Sequence, residues 1–382
     1  MPLPADSCSV TDNRANRLAW RIVALAAPIA LMFGLADARE AHGQACPANR
    51  TIGDAAALNA AIGCAASGTT LKLAPGNFGT IEIRNPPATG LTITSVDPLR
   101  PAKFNGLAIH GSSGFTLRNL KIGGPPPSGW RYAMLIFRGS GFTADNLELT
   151  GDQDEATGAL DSAIMIRNIE GARLSHLRIA QHRNGISLLD VRQVEVVNNS
   201  ITNMRVDGIR GGGVNDARIA RNVIGTFHPV AGDHPDGIQL WSRNQKESAE
   251  NIVIEDNLIL RGSGAPIQGI FVEDRINLPF RRLVIRNNLC VGTMYNGIMI
   301  MGGEGATISG NSVIPLDPQL SWIRVETSRD VAVTGNEAGK FMLSGGTTTV
   351  ARNKTGPIRR EADAVIRDWR SRLNLPLLEF PI

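Results

Sequence analysis

Residues 184–209 read Asn184-Gly-Ile-Ser-Leu-Leu-Asp-Val-Arg-Gln-Val-Glu-Val-Val-Asn-Asn199-Ser-Ile-Thr-Asn-Met-Arg-Val-Asp207-Gly-Ile209, and two marks in this stretch recur along the chain. The first is a polar residue followed by Gly-Ile: Asn184, Asp207, Asp236, Gln268 and Asn296 each begin one, and Ser321-Trp-Ile closes the set. The second is an asparagine followed by apolar residues, at Asn119, Asn146, Asn199, Asn222, Asn257, Asn288, Asn311 and Asn336, with His176-Leu-Arg-Ile filling the gap in the series. Successive spacings are 27, 30, 23, 23, 35, 31, 23 and 25, so the minimum unit is 23 residues, lengthened by insertions.

Units of that length are made of short alternating segments such as Asn251-Ile-Val-Ile-Glu-Asp, with no helix-length amphipathic stretch between them. This pattern predicts a β-solenoid. Leucine-rich repeats share the period but need leucines at fixed positions, and this chain lacks them. The expected fold is all-β, a single-stranded right-handed parallel β-helix over residues 68–356. Its coils stack about 4.8 Å apart, each burying the inner face of the next. Ile186, Ile209, Ile238, Ile270, Ile298 and Ile323 are expected to stack inside. The asparagines are expected at a turn, each amide bonding the next, which is a structural role.

Open solenoid ends expose apolar surface and unpaired edges, so caps are expected. Residues 39–67, with a helix over 54–66, are assigned to the start, and a helix over 360–373 to a C-terminal cap within residues 357–382. Residues 1–38 are set apart. Arg14, Arg17 and Arg21 precede a 14-residue apolar run from Ile22 to Leu35, then Ala36-Asp37-Ala38. This is the pattern of a cleaved signal peptide, and the run is shorter than the roughly 20 residues of a membrane span. The expectation is a periplasmic or secreted monomer without a permanent membrane anchor. Cys46 and Cys64 flank the first helix and are placed to tie the N-terminus to it, whereas Cys290 falls at an apolar repeat position.

Composition bounds the partners. Without residues 1–38 the chain holds 36 basic and 32 acidic residues, and no Lys/Arg-rich tract points to nucleic acid. The weak positive balance suits a polyanion.

The repeat breaks most sharply around one strand. Asn199 to Ile209 takes 10 steps, but Asn222 to Ile238 takes 16, and another six residues are inserted after that strand. Loops thrown out of a regular stack form groove walls and carry function. The bracketed strand reads Asp233-His234-Pro235-Asp236-Gly237-Ile238-Gln239-Leu240-Trp241. With Ile238 inward, Gln239 faces out beside Ser187, Arg210, Phe271, Met299 and Arg324 of neighbouring coils. Asp207 and Asp236 fall on consecutive coils, and like charges that close need a proton, an arginine or a metal to relieve them. Aspartate before glycine is equally an ordinary turn residue. The candidate catalytic residues are His234, Arg210, Asp236, Asp207 and Tyr295. The candidate substrate-binding residues are Gln239, Trp241, Asp233, Arg183 and Arg324, with His182 and His228 as weaker candidates. No cofactor is expected. Calcium at Asp152, Asp154, Glu155 and Asp161 is weighed against a solvated acidic loop, since no spacing enforces a site.

Leu58-Asn-Ala-Ala-Ile-Gly-Cys64 and Gly68-Thr-Thr-Leu-Lys-Leu-Ala-Pro-Gly-Asn-Phe78, with the coils that follow, resemble the pectate-lyase-like superfamily of right-handed β-helices. The branch most resembled holds polysaccharide lyases and alginate C5-epimerases. Those epimerases carry an Asp-Pro-His-type motif, here permuted to Asp233-His234-Pro235-Asp236. The Asn-Thr-Asp and Gly-His-Gly patterns of galacturonases are absent, which argues against pectin hydrolysis. The resemblance implies an acidic polysaccharide as partner. The expected chemistry is abstraction of the C5 proton of a uronic-acid unit, leading to β-elimination or epimerisation. Such a site needs a cation against the carboxylate and a base in reach, for which Arg210 and His234 are suited. Two alternatives stand beside it: glycoside hydrolysis by Asp207 and Asp236, and non-catalytic glycan binding at a surface.

Overall fold

The computed structural model describes residues 46–124, 129–152 and 162–373. The proposed signal segment, three of the four residues weighed for calcium (Asp154, Glu155 and Asp161) and residues 374–382 lie outside them. Among the described residues no helix is long and apolar enough to cross a membrane.

Nearly every strand pairs in parallel with the equivalent strand of the next coil, so the sheet winds around an axis with three sides. One side carries Ser162–Ser175, Ile186–Val197, Ile209–Ala220, Asp236–Trp241, Gln268–Glu273, Asn296–Met301 and Trp322–Glu326 in succession. Several strands are longer than one side and bend at residues of positive φ, such as Asp190 and Gln193. The architecture is the parallel β-helix expected from the repeat.

Alternation along each strand sets the two faces. Ile186, Ile209, Ile238, Ile270, Ile298 and Ile323 are in register and fully buried, one above another along the axis. Burying each contributes about 1.5–3 kcal/mol.

The asparagine ladder runs Asn199, Asn222, Asn257, Asn288, Asn311, Asn336 and Asn353, each side-chain amide donating to the next Oδ1 at 2.9–3.0 Å. The same Oδ1 accepts the backbone N–H of the preceding asparagine, so the buried groups satisfy each other. The ladder differs from the sequence reading at its start. Register puts Leu177 opposite Asn199, and its backbone N–H donates to Asn199 Oδ1 at 2.9 Å. His176 and Asn146 stand one position earlier, opposite Asn198, all at positive φ. Two adjacent columns, one turning the chain and one laddering inward, look alike when both are rich in asparagine.

Helix α1 (Ala55–Cys64) covers the first coils. Asp54 caps it by accepting the Ala57 N–H at 2.8 Å, and Leu58, Ala61 and Ile62 enter the core. The Cys46–Cys64 disulfide ties the preceding segment to it, and Cys290 is a buried free thiol. Helix α2 (Asp363–Arg372) corrects the expectation of a C-terminal cap. Its buried Ile366 and Trp369 pack on Val223, Leu258, Leu289, Val291 and Ile314. Those residues alternate with the inward Ile224, Ile259, Cys290 and Val313, so they lie on the outside of the coils. Trp369 Nε1 donates to Asn287 O at 3.0 Å. The helix covers a flank that would otherwise be an apolar stripe, not the end of the stack.

Candidate functional site

The outward column follows the predicted register, Ser187, Arg210, Gln239, Phe271, Met299 and Arg324 on successive coils. Beside it the polar column places Asp207 next to Asp236, whose backbone N–H donates to Asp207 Oδ1 at 3.2 Å. Both carboxylates are buried. Burial pushes the Asp207 carboxyl up to about 7, and the neighbouring Asp236 charge adds to the rise. Arg210 opposes this from the rim: its Nη1 is 3.0 Å from Asp207 Oδ2. Asp236 is also raised, by burial, and among the described residues nothing hydrogen-bonds its Oδ1.

His234 stands above this pair, its side chain 59% exposed, with Nδ1 3.1 Å from Asp236 Oδ2. The hydrogen bond to Asp236 raises the imidazole pKa. Gln239 Nε2 donates to the same Oδ2 at 2.8 Å. On the other side of the ring Gln268 Nε2 approaches His234 Nε2 at 2.5 Å, and Asn296 Nδ2 donates to Gln268 Oε1. In that arrangement the neutral ring pairs Nδ1–H with the carboxylate and turns its Nε2 lone pair toward the amide. The Phe271 ring meets the imidazole edge-on at 5.5 Å between centroids.

Trp241 faces out two residues past Gln239, and the Arg210 guanidinium lies 4.9 Å from its ring centroid. Gly212, its partner on the preceding coil, makes room, because a Cβ there would stand 2.7 Å from Trp241 Nε1. Arg210 and Trp241 form the wall shared by two clefts. One, of about 310 Å³, is also lined by Gln239, Arg243, Phe271 and Arg275. The other, of about 240 Å³, is also lined by Arg131, Tyr132, Arg183 and Asn184. Together they make an arginine-lined trough along the axis.

The structure thus brings together His234, Asp236, Asp207, Arg210, Gln239 and Trp241, with Arg183 in the adjoining cleft. It separates three others. Asp233 does not reach His234: Arg205 Nε and Nη2 donate to its carboxylate at 2.8 and 3.2 Å, as does Val230 N at 2.9 Å, and the Arg205 bond holds its pKa low. It fastens the inserted loop. Tyr295 lies two ladder steps past Asp236 and packs tilted against Trp322, with 5.1 Å between ring centroids. Arg324 is four coils from Arg210 and donates to Glu326 at 2.7 Å. His182 is buried away from solvent, which lowers its pKa to about 4, and His228 Nε2 is 3.4 Å from Asn203 Oδ1. Gln268, Arg243 and Arg275 escaped the sequence reading. Gln268 was visible only as one more member of the polar column, and the two arginines sit in loops that carry no period. Among the described residues no group of three or more His, Cys, Asp or Glu side chains is arranged to hold a metal ion.

No curated protein matches the chain by sequence. Among solved structures it is similar to an alginate lyase from Paenibacillus sp. strain FPU-7, at 17% identity over 81% of this chain and 98% of that one, with a TM-score of 0.47. It is similar to the Dettilon tailspike protein at 16% identity over 82% and 64%, with a TM-score of 0.54. A third is DFA-IIIase from Arthrobacter chlorophenolicus A6 in complex with GF2, at 11% identity over 84% and 94%, with a TM-score of 0.51. At such identities the likeness is one of fold. Residues 105–313 match the family described as the right handed beta helix region, and with the three-sided parallel stack around them the chain belongs to that family.

Proposed function

We propose that the protein is an exported, carbohydrate-active enzyme that abstracts the C5 proton of a uronic-acid unit in an acidic polysaccharide, as a lyase or a C5-epimerase of the pectate-lyase-like branch. The observation that carries this reading is an exposed imidazole held by a buried carboxylate, His234 on Asp236, at the rim of an arginine-lined trough.

The C5 proton becomes acidic only when the adjacent carboxylate is neutralised. Arg210 supplies that charge, and protonation of Asp207 frees it from its own partner. His234 Nε2, once the substrate displaces the Gln268 amide, takes the proton, while Asp236 stabilises the imidazolium through Nδ1. In elimination the C5–H electron pair forms the C4–C5 double bond as the C4–O bond breaks. The imidazolium is the proton source for the leaving oxygen, since Tyr295 lies two ladder steps past Asp236, against Trp322. In epimerisation solvent water delivers a proton to C5 from the opposite face, and His234 returns its own to solvent.

Hydrolysis by the Asp207–Asp236 pair fits less well. Both are buried under the strand, and a nucleophile or general acid must touch the anomeric centre or its oxygen. The disulfide supports an oxidising compartment, hence export. Incubation with a panel of uronate polymers, following unsaturated-product absorbance and solvent hydrogen exchange at C5, tests the reading. Silence in both assays overturns it; new reducing ends without unsaturation would favour hydrolysis, and retention of intact polymer alone would favour a binding protein.

A further inference from the structure

The trough does not stop at the arginines. A third cleft, of about 260 Å³, shares Arg131 and Tyr132 with the second and continues along the axis to Glu82, His110 and Trp130. Its lining changes character. Ala108, Leu135, Trp130 and Tyr132 give it a mostly hydrocarbon and aromatic wall, whereas the clefts beside His234 are lined by guanidinium groups. Trp130 lies over Gly106, where a Cβ would stand 3.0 Å from its Cζ3 and 3.1 Å from its Cε3, so a larger residue there crowds the indole. His110 is held by Glu82 at 3.2 Å and by the edge of Phe137 at 5.9 Å between centroids.

The register fixes how far this cleft lies from the proposed reacting centre. Leu135, Met165, Ser187, Arg210 and Gln239 are successive partners on one face. Four ladder steps separate the ends, roughly 19 Å at about 4.8 Å per step. A 1,4-linked pyranose chain laid along the axis advances by close to one ladder step per ring, or about one sugar per coil. An aromatic wall at that remove suits the C–H face of a sugar ring better than its charged edge.

We infer that Trp130 and Tyr132 form a distal sugar subsite, which takes the apolar face of a uronate ring about four units from the ring at His234, with its carboxylate toward Arg131. This rests on the proposed action on uronate polymers and adds to it a length requirement. Chains too short to reach from His234 to Trp130 lose the stacking contact, so affinity rises in a step where the chain first spans the gap.

The test is calorimetric binding of oligouronates of about three to about eight rings, which needs no turnover. A step of about tenfold in affinity is expected between about four and about six rings. Trp130→Ala should collapse the advantage of the longer chains, and Gly106→Ala, which crowds the indole, should reduce it. Trp130→Phe, which keeps a ring, should retain part of the step and guards against a folding defect, checked by an unchanged melting temperature. A smooth rise with length, or a step that survives Trp130→Ala, overturns the subsite and leaves the proposed chemistry standing. Failure of every uronate oligomer to bind overturns both.

Discussion

His234 and Asp236, two residues apart, face each other across Pro235 with Nδ1 3.1 Å from Oδ2, one group largely in solvent and the other fully buried. The carboxylate cannot reach substrate, so it acts through the ring. His234→Ala should abolish proton abstraction, a loss of about 10²–10⁴ in kcat. Asp236→Asn should also lower kcat strongly, while KM changes little. Steady-state kinetics on a uronate polymer checks both. An Asp236→Asn variant that raises KM alone would assign the residue to binding.

The titration of the site predicts how stability follows pH. Asp207 is raised from 3.8 to about 7, so the folded state holds an extra proton between those values and loses stability as pH climbs through that range. Asp236, also raised, acts in the same direction. His234 is raised above 6.5, so its contribution is complete below that value and fades as pH rises through the folded pKa. Buried His182, lowered to about 4, acts in the opposite sense below its ordinary value of 6.5, so the Asp207 contribution is read as a difference: the melting temperature of Asp207→Asn should rise relative to that of the unaltered protein from about pH 5 to about pH 8. Calorimetric melts of both proteins across this range are the check, and a difference between them that does not change with pH contradicts the assignment.

The asparagine ladder makes a purely structural prediction. Asn257 accepts from Asn222 through both its amide and its backbone N–H, and donates to Ile219 O and Asn288 Oδ1. Asn257→Ala leaves buried donors and acceptors without partners, each costing about 1–3 kcal/mol. Denaturant unfolding should show a loss of that order, with the outer trough chemistry altered only through the fraction folded.

Gly212 is the seat of Trp241. Gly212→Ala places a methyl group 2.7 Å from the indole nitrogen and must move the ring away from Arg210. A several-fold rise in KM is expected with kcat nearly preserved, because Trp241 lines both clefts without touching His234. Loss of kcat at constant KM would show that the wall positions the reacting groups.

Much of the fold was legible because a period of two in the strand and about 23 in the coil leaves few registers that bury every isoleucine. The columns containing Ile238, Gln239 and Asp236 followed from that alone, whereas the helix after Asp54 and the Cys46–Cys64 pairing were expected on other grounds, the exposed end of the stack and the two cysteines that flank the helix. The inward ladder was placed one residue off at His176, where two polar columns run side by side.

The sequence by itself determined which residues share a face of the stack, because alternation and burial repeat from coil to coil and fix direction without reference to distant partners. Only the tertiary structure decided which neighbours meet. Asp233 turned to Arg205 and left His234 to Asp236, Tyr295 folded onto Trp322, and α2 settled on the flank of the coils. Those choices lie in inserted loops and at a terminus, where no period operates and each side chain goes to whatever charge or apolar surface the rest of the chain brings within reach.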